Sequence, residues 1–570
     1  MYKVIGGQPM KHFTIFMLTA SALILCILFL PVYKINADAN YPEKFDLRDY
    51  SLVSEVKNQG QYNMCWAFSA LGSIETQLLK LGYSDRDLSE WHLAYSSYNS
   101  ITQFPKKRSA YDEGGSSNIA SAVLSRWDGL CYEADMPYDI AEEDITGQIK
   151  PSPPIYYVQD IYNVFPWISQ KKHHDVSYIK SFIYSKNSVS STCSIDDKYY
   201  NAETASLYCN NKDYNCNNDK YYHSVLIIGW DDNYPRENFY KDSMPDHNGA
   251  WLVRNSWGTN WGSEGYFWIS YEDCSLLEAV VYSSENSVPY QNNYQYDDFG
   301  WSTSISSNIL LEMSGAPAPQ TTTGYMANIF ECVQDEYVSA VSFYTIEENA
   351  KYEVTVYSNL TNISDPVSGT ASSVTSGTQK YPGYHTIILN DKVKTKESEQ
   401  FSIVLKITNN VSPYTIPIDA SILVYPLIQR QNLDSMFNVD PTSIMKNSYK
   451  DESFISYDGN EWSDIYRKSI LARDLEGKNT IAPDVRPDEI LKLIRPGNIC
   501  LKAFTTAYSP CKGDINDDGV VTSKDIFILA DIILEKGKPS VSQQQYADIN
   551  NDGTINITDI TALIKYIISF

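Results

Sequence analysis

The sequence predicts a multidomain protein in which an α+β region is followed by an all-β, sandwich-like region and then by a small all-α region. The length of 570 residues corresponds to roughly three to four domains at about 150 residues each. Three patterns mark these regions. An apolar helical pattern after residue 65 precedes two apolar strands near 223–230 and 251–255, short alternating runs fill the middle, and an acidic loop followed by an apolar helix occurs twice near the end.

Composition and charge exclude one class of partner. Hydrophobic residues make up 43% of the chain and charged residues 20%, which is typical of packed globular domains. Lys and Arg number 45 against 70 Asp and Glu, which gives a formal net charge of −25. Because a nucleic-acid binder needs a basic, phosphate-neutralising surface, we expect no nucleic-acid partner.

The N-terminal segment has the pattern of an export signal. Lys11 and His12 precede an apolar run over residues 13–32, and small residues at Ala37 and Ala39 follow it, as a signal peptidase requires. We therefore expect a signal peptide over residues 1–39 and a secreted, extracellular protein that begins at Asn40. The run is also long enough for the alternative, an uncleaved membrane anchor.

Export permits disulfides, and the chain has ten cysteines. Cys26 lies in the signal segment and Cys65 has a separate role, so eight remain, an even number that is compatible with four disulfides of open connectivity. Cys193, Cys209 and Cys216 mark a polar insertion. We interpret it as a stapled loop rather than a zinc site, because no close CxxC or paired His accompanies these cysteines.

Cys65 is a candidate nucleophile. A polar turn containing Gly60 runs into an apolar helical pattern whose first turn holds Cys65. The N-terminus of a helix carries partial positive charge, which favours the thiolate, and the thiolate is the reactive form. Taken alone, a cysteine beside Trp66 is more often a buried small hydrophobe or half a disulfide.

Two further segments supply partners for this thiol. His223 begins one apolar strand and Asn255 ends the next, so adjacent antiparallel strands would hold the two side chains together. His223 can accept the thiol proton and Asn255 can fix the imidazole tautomer. Gln59 lies six residues before Cys65, and its side-chain amide could join the Cys65 backbone N–H at a developing oxyanion.

These segments resemble the papain family of cysteine peptidases. The motifs are Gln-Gly at 59–60, Cys-Trp-Ala-Phe-Ser at 65–69, His223, Asn-Ser-Trp-Gly at 255–258 and Phe-Asp-Leu-Arg at 45–48. The resemblance implies a two-lobed α+β catalytic domain, predicted over 40–285, that hydrolyses protein or peptide substrates without a cofactor. It also implies that Trp257 shields the hydrogen bond between His223 and Asn255, and that Gly114 and Gly115 pair with an extended peptide, although a plain turn explains these two glycines equally well.

The chain departs from the family pattern in three respects. Tyr62 and Asp112 stand where the family has the two halves of a disulfide, so both halves are missing together. The 158 residues between Cys65 and His223 imply an insertion. About 25 residues separate the predicted cleavage site from Cys65, which is too few for the family's inhibitory propeptide, and we expect a protein beginning at Asn40 to be active without further trimming.

The middle region, predicted over 290–507, has short runs of period two such as 352–357 and 401–405, which predict a β-sandwich. It resembles the lectin-like β domain found behind papain-type catalytic domains in secreted bacterial enzymes. The resemblance implies a possible carbohydrate ligand. A structural domain that braces the catalytic domain is an equally good interpretation.

The C-terminal region repeats a calcium-loop pattern after 34 residues. Calcium prefers six to eight oxygen ligands with a glycine at loop position 6. Position 12 is Asp in both loops, where the EF-hand pattern has Glu. The predicted ligands of the first loop are Asp514, Asn516, Asp518, Val520 through its carbonyl, Thr522 and Asp525. Those of the second loop are Asp548, Asn550, Asp552, Thr554 through its carbonyl, Asn556 and Asp559.

The tandem of loops and exit helices over 511–570 resembles a dockerin, the module that attaches cellulosomal enzymes to cohesin domains of a scaffoldin. The resemblance implies two bound Ca²⁺ ions, a cohesin partner and a place in a cellulosome, the complex of polysaccharide catabolism. A C-terminus that calcium merely stabilises is the second interpretation.

Together these patterns predict a secreted cysteine endopeptidase attached to an extracellular cellulosome-type complex. A catalytically silent or regulatory binding protein delivered by the dockerin is the alternative from another class. An acyl-transferring enzyme that uses the same Cys65 and His223 is a third.

Overall fold

The computed structural model describes residues 41–83, 87–99, 111, 114–128, 130–138, 157–163, 176–210, 222–283, 290–298, 300–307, 321–419, 421–422, 449–466, 494–495, 497–507, 512–516, 521–536, 539 and 541–568. Residues 43–570 form one compact unit. Its helices are α1 Cys65–Lys80, α2 Glu90–Asn99, α3 Ser117–Ser125, α4 Val176–Tyr184, α5 Ser523–Ile533, α6 Val541–Ala547 and α7 Ile557–Ile568. No helix among these residues is both long and apolar enough to cross a membrane.

The N-terminal region pairs helices α1 to α4 with nine strands. These are β1 Lys44–Asp46, β2 Asp160–Asn163, β3 Val189–Ser194, β4 Tyr200–Asn201, β5 Ser206–Leu207, β6 Tyr222–Asp231, β7 Ala250–Arg254, β8 Tyr266–Ser270 and β9 Glu278–Ser283. The central strands run in the order β9, β3, β6, β7, β8, each antiparallel to its neighbour. The α+β character of this region follows from that arrangement.

Helix α1 is the buried centre of this region. Thirteen of its sixteen residues, Trp66 to Leu78, are buried, so the helix packs on all sides rather than along one stripe. Its small polar residues bond to the sheet: the Ser69 hydroxyl donates to the Val225 carbonyl at 2.6 Å, and the Ser73 hydroxyl donates to the Ser188 carbonyl at 3.1 Å. A helix fixed in this way holds its N-terminal residue at a defined distance from β6.

The middle region is built around two facing sheets, with two further sheets of two strands each. Its strands are β10 Asn292–Tyr294, β11 Thr303–Ser306, β12 Thr323–Glu331, β13 Glu336–Thr345, β14 Ala350–Ser358, β15 Thr370–Gln379, β16 Gly383–Thr395, β17 Gln400–Thr408, β18 Tyr414–Ile418, β19 Ser421–Ile422, β20 Ser453–Ser456, β21 Trp462–Asp464, β22 Ile494–Arg495 and β23 Leu501–Ala507. One sheet has the order β15, β14, β17, β12, β20, β21, and the other contains β10, β23, β13 and β16. Alternate residues such as Val354, Val356 and Leu405 fill the core between them.

A continuous sheet joins the N-terminal and middle regions. Strand β2 pairs with β9 on one side and with β16 on the other, where Gly383 lies opposite Tyr162. Gly383 has φ of +136°, and a side chain there would meet the Ile161 carbonyl oxygen at 1.9 Å. Glycine is therefore required at this junction.

The C-terminal helices α5, α6 and α7 enclose a small core of Ile515, Leu529, Ala547 and Leu563. A capping box begins α5: Thr522 and Asp525 bond reciprocally to each other's backbone N–H.

The multidomain organisation and the all-β middle region agree with the sequence prediction. The four expected disulfides do not, because all seven described cysteines are free thiols: Cys65, Cys131, Cys193, Cys209, Cys274, Cys332 and Cys500. Cys209 and Cys274 lie side by side: the Cys274 backbone N–H donates to the Cys209 carbonyl at 3.0 Å, and their thiols contact each other. Cys131 and Cys500 lie in the core around α1, and Cys332 lies in the sandwich core. Cys216 of the expected stapled loop and the signal segment 1–39 lie outside the described residues.

Candidate active site

Cys65 is the first residue of α1, half-buried, as the helical pattern predicts. The preceding residue, Met64, is fully buried, and no side chain caps the helix start. Without a side-chain cap, the N-terminal end of the helix keeps its partial positive charge beside the thiol.

Strands β6 and β7 bring His223 and Asn255 together. The register that pairs Leu226 with Arg254 sets Asn255 just beyond the end of β7, beside the start of β6. The Asn255 Oδ1 atom lies 2.6 Å from His223 Nε2, which fixes the ring with Nδ1 on the opposite edge. The Trp257 ring lies over the imidazole, with 4.4 Å between ring centroids, and covers the pair as the resemblance implied.

The thiol of Cys65 faces this imidazole. Burial alone would raise the pKa of the Cys65 thiol, but the charge of His223 and hydrogen bonds from His223 and Ser224 outweigh burial, and the pKa is lowered. The arrangement favours the thiolate form of Cys65. Ser224 was not predicted from the sequence, although it directly follows His223.

Gln59 lies in a segment that crosses to the other lobe. Its backbone N–H donates to the Ser256 carbonyl at 2.8 Å, and its side-chain Oε1 accepts from the Ser256 hydroxyl at 2.7 Å. Its Nε2 donates to the Tyr62 carbonyl at 2.8 Å. Both the oxygen and the nitrogen of the Gln59 side-chain amide are therefore hydrogen-bonded. Ser256, which follows Asn255, orients this amide, and the sequence analysis did not predict that role.

An aromatic cluster occupies the place of the missing disulfide. Tyr62 packs edge-on against Trp91 at 4.9 Å, and Trp91 stacks on Tyr111 at 3.4 Å. Tyr138 packs edge-on against Trp91 at 5.0 Å, and its hydroxyl donates to the Gln59 carbonyl at 2.8 Å. Tyr62 stands where the family has one cysteine, and Tyr111 directly precedes Asp112, where the family has the other. Ring packing therefore joins the same two chain segments that the disulfide would join.

A buried network of charged side chains includes Lys57, in the same segment as Gln59. The Lys57 ammonium lies 2.8 Å from Glu75 and 2.9 Å from Glu90, and it also pairs with Asp87. Burial would lower the pKa of Lys57, but the charges of Glu75 and Glu90 raise it. Burial raises the pKa of Glu90, with Lys57 opposing and Glu75 adding to the rise. Lys57 therefore stays charged two residues before Gln59.

Gly115 packs against the ring of Trp66, the residue after Cys65. A side chain at Gly115 would meet the Trp66 ring at 2.3 Å, and Gly114 adopts φ of +76°. Both positions therefore need glycine, one for space and one for backbone conformation. A backbone segment without side chains therefore lies against the ring that follows Cys65 in the chain.

The C-terminal loops have a donor set that suits calcium. Asp525 and Asp559, at position 12 of each loop, are fully buried, and their carboxylates accept backbone N–H groups of their own loops, among them Ile515 at 2.8 Å and Asn556 at 2.9 Å. Each side chain that the pattern assigns to Ca²⁺ in the second loop offers an oxygen atom as its metal ligand. Among the described residues no three acidic, imidazole or thiol groups gather closely enough to hold a metal. Asp518 and Val520 lie outside the described residues.

A cysteine at a helix N-terminus, beside a His-Asn pair held by adjacent strands, is the set of groups that thiol-dependent acyl transfer requires. Residues 41–284 match the family model described as papain family cysteine protease. Residues 293–475 match the lectin-like domain, and residues 512–568 match the dockerin type I domain.

Curated relatives and solved structures agree with this assignment. A viral cathepsin of Spodoptera litura multicapsid nucleopolyhedrovirus is 28% identical over 229 residues, 40% of this chain and 57% of the relative. Procathepsin L of Mus musculus is 27% identical over 248 residues, 43% of this chain and 66% of the relative. The chain thus spans less than two thirds of the length of these relatives.

Two solved structures extend the similarity beyond the catalytic domain. The clostridial cysteine protease Cwp84 after propeptide cleavage matches with a TM-score of 0.60 and 26% identity, over 81% of this chain and 99% of that one. The cysteine protease and lectin-like domains of Cwp84, a surface layer associated protein of Clostridium difficile, match with a TM-score of 0.58 and 25% identity, over 82% of this chain and 89% of that one.

Proposed function

We propose that this chain is a secreted cysteine endopeptidase that hydrolyses peptide bonds at Cys65. The observation that supports this most strongly is the 2.6 Å contact of His223 Nε2 with Asn255, which leaves Nδ1 for the thiol, combined with the lowered pKa of Cys65. The match of residues 41–284 to the papain family model supports it.

In the proposed mechanism the Cys65 thiolate attacks the scissile carbonyl carbon, and the carbonyl oxygen becomes an oxyanion. The Cys65 backbone N–H and the Gln59 amide stabilise that charge. The imidazolium of His223 then gives its proton to the leaving amine as the C–N bond breaks, which leaves a thioester on Cys65. Neutral His223 next accepts a proton from water, whose oxygen attacks the thioester carbon. The C–S bond then breaks, which releases the acid product and restores the Cys65 thiolate beside the His223 imidazolium.

The test compares the purified protein with Cys65→Ala and the near-isosteric Cys65→Ser on a peptide library analysed by mass spectrometry. We expect cleavage by the wild type and none by Cys65→Ala. Cleavage that persists undiminished in Cys65→Ala contradicts the proposal. No cleavage by the wild type favours the silent binding protein, and amide products formed with an added amine in place of acids favour acyl transfer.

We further propose that the C-terminal module attaches the enzyme to a cohesin domain of a scaffoldin outside the cell. The match of residues 512–568 to the dockerin type I domain supports this, and calcium would be held by the oxygen donors of the two loops, two ions in all. When bound, the ion would balance buried carboxylates such as Asp525 and Asp559. Carbohydrate binding by the lectin-like domain is suggested only by its family match.

This second proposal is tested by a pull-down with cohesin domains from the same source, in calcium and in chelator. Binding in calcium alone is the expected result. Failure to bind any of these cohesins in saturating calcium would leave only a stabilising role for the loops.

A further inference from the structure

Helix α3 connects the surroundings of the nucleophile to the middle region. Gly115, the residue before its N-cap, packs on the ring of Trp66, which follows Cys65. Ser117, the first residue of the helix, donates from its hydroxyl to Glu278 Oε2 at 2.7 Å. The helix has nine residues, which span about 13 Å at the rise of an α-helix. Its far end therefore lies well away from these contacts.

Two hydrogen bonds attach the C-terminal end of α3 to the middle region. Asn293 Nδ2 of β10 donates to the Ser125 carbonyl at 3.0 Å, one of the carbonyls that a helix end leaves without an intrahelical partner. The buried Arg126 guanidinium donates to the Asp298 carbonyl. The last turn of α3 is thus completed by groups that lie about 170 positions further along the chain.

Trp127 directly follows this turn, and its backbone has a conformation that glycine usually supplies. The Trp127 N–H bonds to the Leu124 carbonyl and the Asp128 N–H to the Val123 carbonyl, both at 3.2 Å, which is the pattern of a Schellman cap. The capping residue of that motif lies in the left-handed region, and Trp127 has φ of +71°. Because this region is unfavourable for a bulky residue, contacts of the ring must compensate for the backbone.

Aromatic residues of the middle region supply those contacts. The Trp127 ring stacks on Phe504 of β23 at 5.0 Å between centroids and on Tyr290 at 6.3 Å, with interplanar angles of 21° and 15°. Tyr290 and Phe504 form a small core with Ala340, against which Trp127 packs. Tyr157 contacts the same ring at 4.3 Å. The tryptophan therefore trades a favourable cap for a ring that attaches α3 to the middle region.

We propose that Trp127 is a positioning residue of the active site, whose ring fixes α3 to the middle region and thereby holds the Gly115 segment against Trp66. The inference rests on the proposed peptidase function and gives the middle region a part in it. The reacting thiol and imidazole lie on α1 and β6, so their ionisation does not depend on this attachment. The position of the segment beside them does.

The experiment compares Trp127→Gly with Trp127→Phe in the full chain. Trp127→Gly removes the ring but supplies the residue best suited to this backbone, so a role in capping alone predicts wild-type kinetics. We expect kcat/KM on a quenched peptide to fall by about tenfold or more, mainly through KM, because small displacements beside a reacting group have effects of that order. Trp127→Phe keeps a ring against Phe504 and should recover most of the loss. The matched control Trp462→Gly, at a half-buried tryptophan of the other large sheet, should keep wild-type kinetics.

Two measurements do not depend on turnover. Amide hydrogen exchange in peptides covering residues 114–121 should be faster in Trp127→Gly than in the wild type, while the pH profile of Cys65 alkylation by iodoacetamide should be unchanged. If Trp127→Gly does not fold, Asn293→Ala removes another bond of the same attachment and should also speed exchange over 114–121.

Wild-type kinetics in Trp127→Gly overturn the inference and leave the peptidase proposal standing. Exchange over 114–121 at the wild-type rate in the folded variants also overturns it, and an equal loss of activity in Trp127→Phe excludes the ring as the cause. If the wild type cleaves no peptide, the peptidase proposal fails and this inference fails with it.

Discussion

The catalytic region and the C-terminal module reach order by different means. In the catalytic region, α1 buries thirteen consecutive residues, and long-range bonds such as the one from Gln59 to Ser256 join segments almost 200 positions apart. Among the described residues of the module, four apolar side chains are fully buried, and the position-12 carboxylates bond to backbone N–H groups of their own loops. A site held by packing is formed before substrate arrives, whereas one held by acidic loops depends on an ion.

The largest effect expected within the catalytic region is on turnover. His223→Ala should lower kcat/KM by about three orders of magnitude or more, because the thiolate and its base act as a unit. Asn255→Ala should cost less, since the base remains and only its orientation is lost. Steady-state kinetics on a quenched peptide measure both, and thermal unfolding checks that each variant is folded. A His223→Ala enzyme within tenfold of the wild type would contradict the assignment.

Loss of calcium should affect the C-terminal module and leave the catalytic region active. We expect the double variant Asp514→Ala and Asp548→Ala to lose helix signal in the C-terminal module and to lose cohesin binding, while activity on small peptides is kept. Circular dichroism during a calcium titration, paired with the peptide assay, measures this. The control is Asp531→Asn, an exposed acid of α5 outside both loops. Equal helix content in calcium and in chelator would show that the module packs as the catalytic region does.

Protonation, in contrast, should affect the catalytic region. Asp273 is fully buried, and burial raises the pKa of its carboxyl from 3.8 to about 6, against hydrogen bonds from Ser275 and from the Cys209 backbone. Between these two pH values the folded state keeps a proton on Asp273 that the unfolded state releases. The contribution of this carboxyl to the free energy of unfolding is therefore fully present below pH 3.8 and is lost as pH rises through about 6.

The change across that window is about 3 kcal/mol for a shift of this size. Asp273→Asn should flatten the dependence of the unfolding free energy on pH, whatever its effect on absolute stability, while the exposed Asp242→Asn should leave it intact. Urea unfolding at a series of pH values measures the slope. An unchanged slope in Asp273→Asn would exclude this carboxyl as the source.

The smallest effect concerns the aromatic cluster. Tyr138→Phe keeps the ring against Trp91 and removes the hydroxyl that donates to the Gln59 carbonyl. We expect kcat to fall about threefold to tenfold with KM little changed, since the lost contact orients an oxyanion donor. Tyr449→Phe, at an exposed tyrosine, is the control. If KM rises while kcat is unchanged, Tyr138 acts on substrate binding rather than on Gln59.

The sequence predicts the part of the site that depends on local motifs. A short local motif surrounds each of Cys65, His223 and Asn255, and its residue types indicate a chemical role. Runs of period two likewise predict the β-sandwich. Tyr138 is 79 positions from Gln59, so its contact depends on tertiary packing that no local pattern contains. The expected disulfides failed for a related reason, because an even number of cysteines says nothing of which thiols meet.

Domain boundaries show the same limit. Strand β2 has only four residues, yet it pairs with β9 and β16 and so connects the catalytic sheet to the sandwich. A four-residue run carries too little periodicity to be assigned to a strand, still less to its partners. The junction follows from neighbours that are distant in sequence.

The central claim is that Cys65 is a thiolate stabilised by His223. The most direct test is the rate at which iodoacetamide alkylates Cys65 as a function of pH, measured by peptide mass spectrometry on the wild type and on His223→Ala. We predict that in the wild type the reaction continues well below the ordinary thiol pKa, and that in His223→Ala the profile moves up to that of a free thiol. Identical profiles at the ordinary thiol pKa in both proteins would contradict the claim.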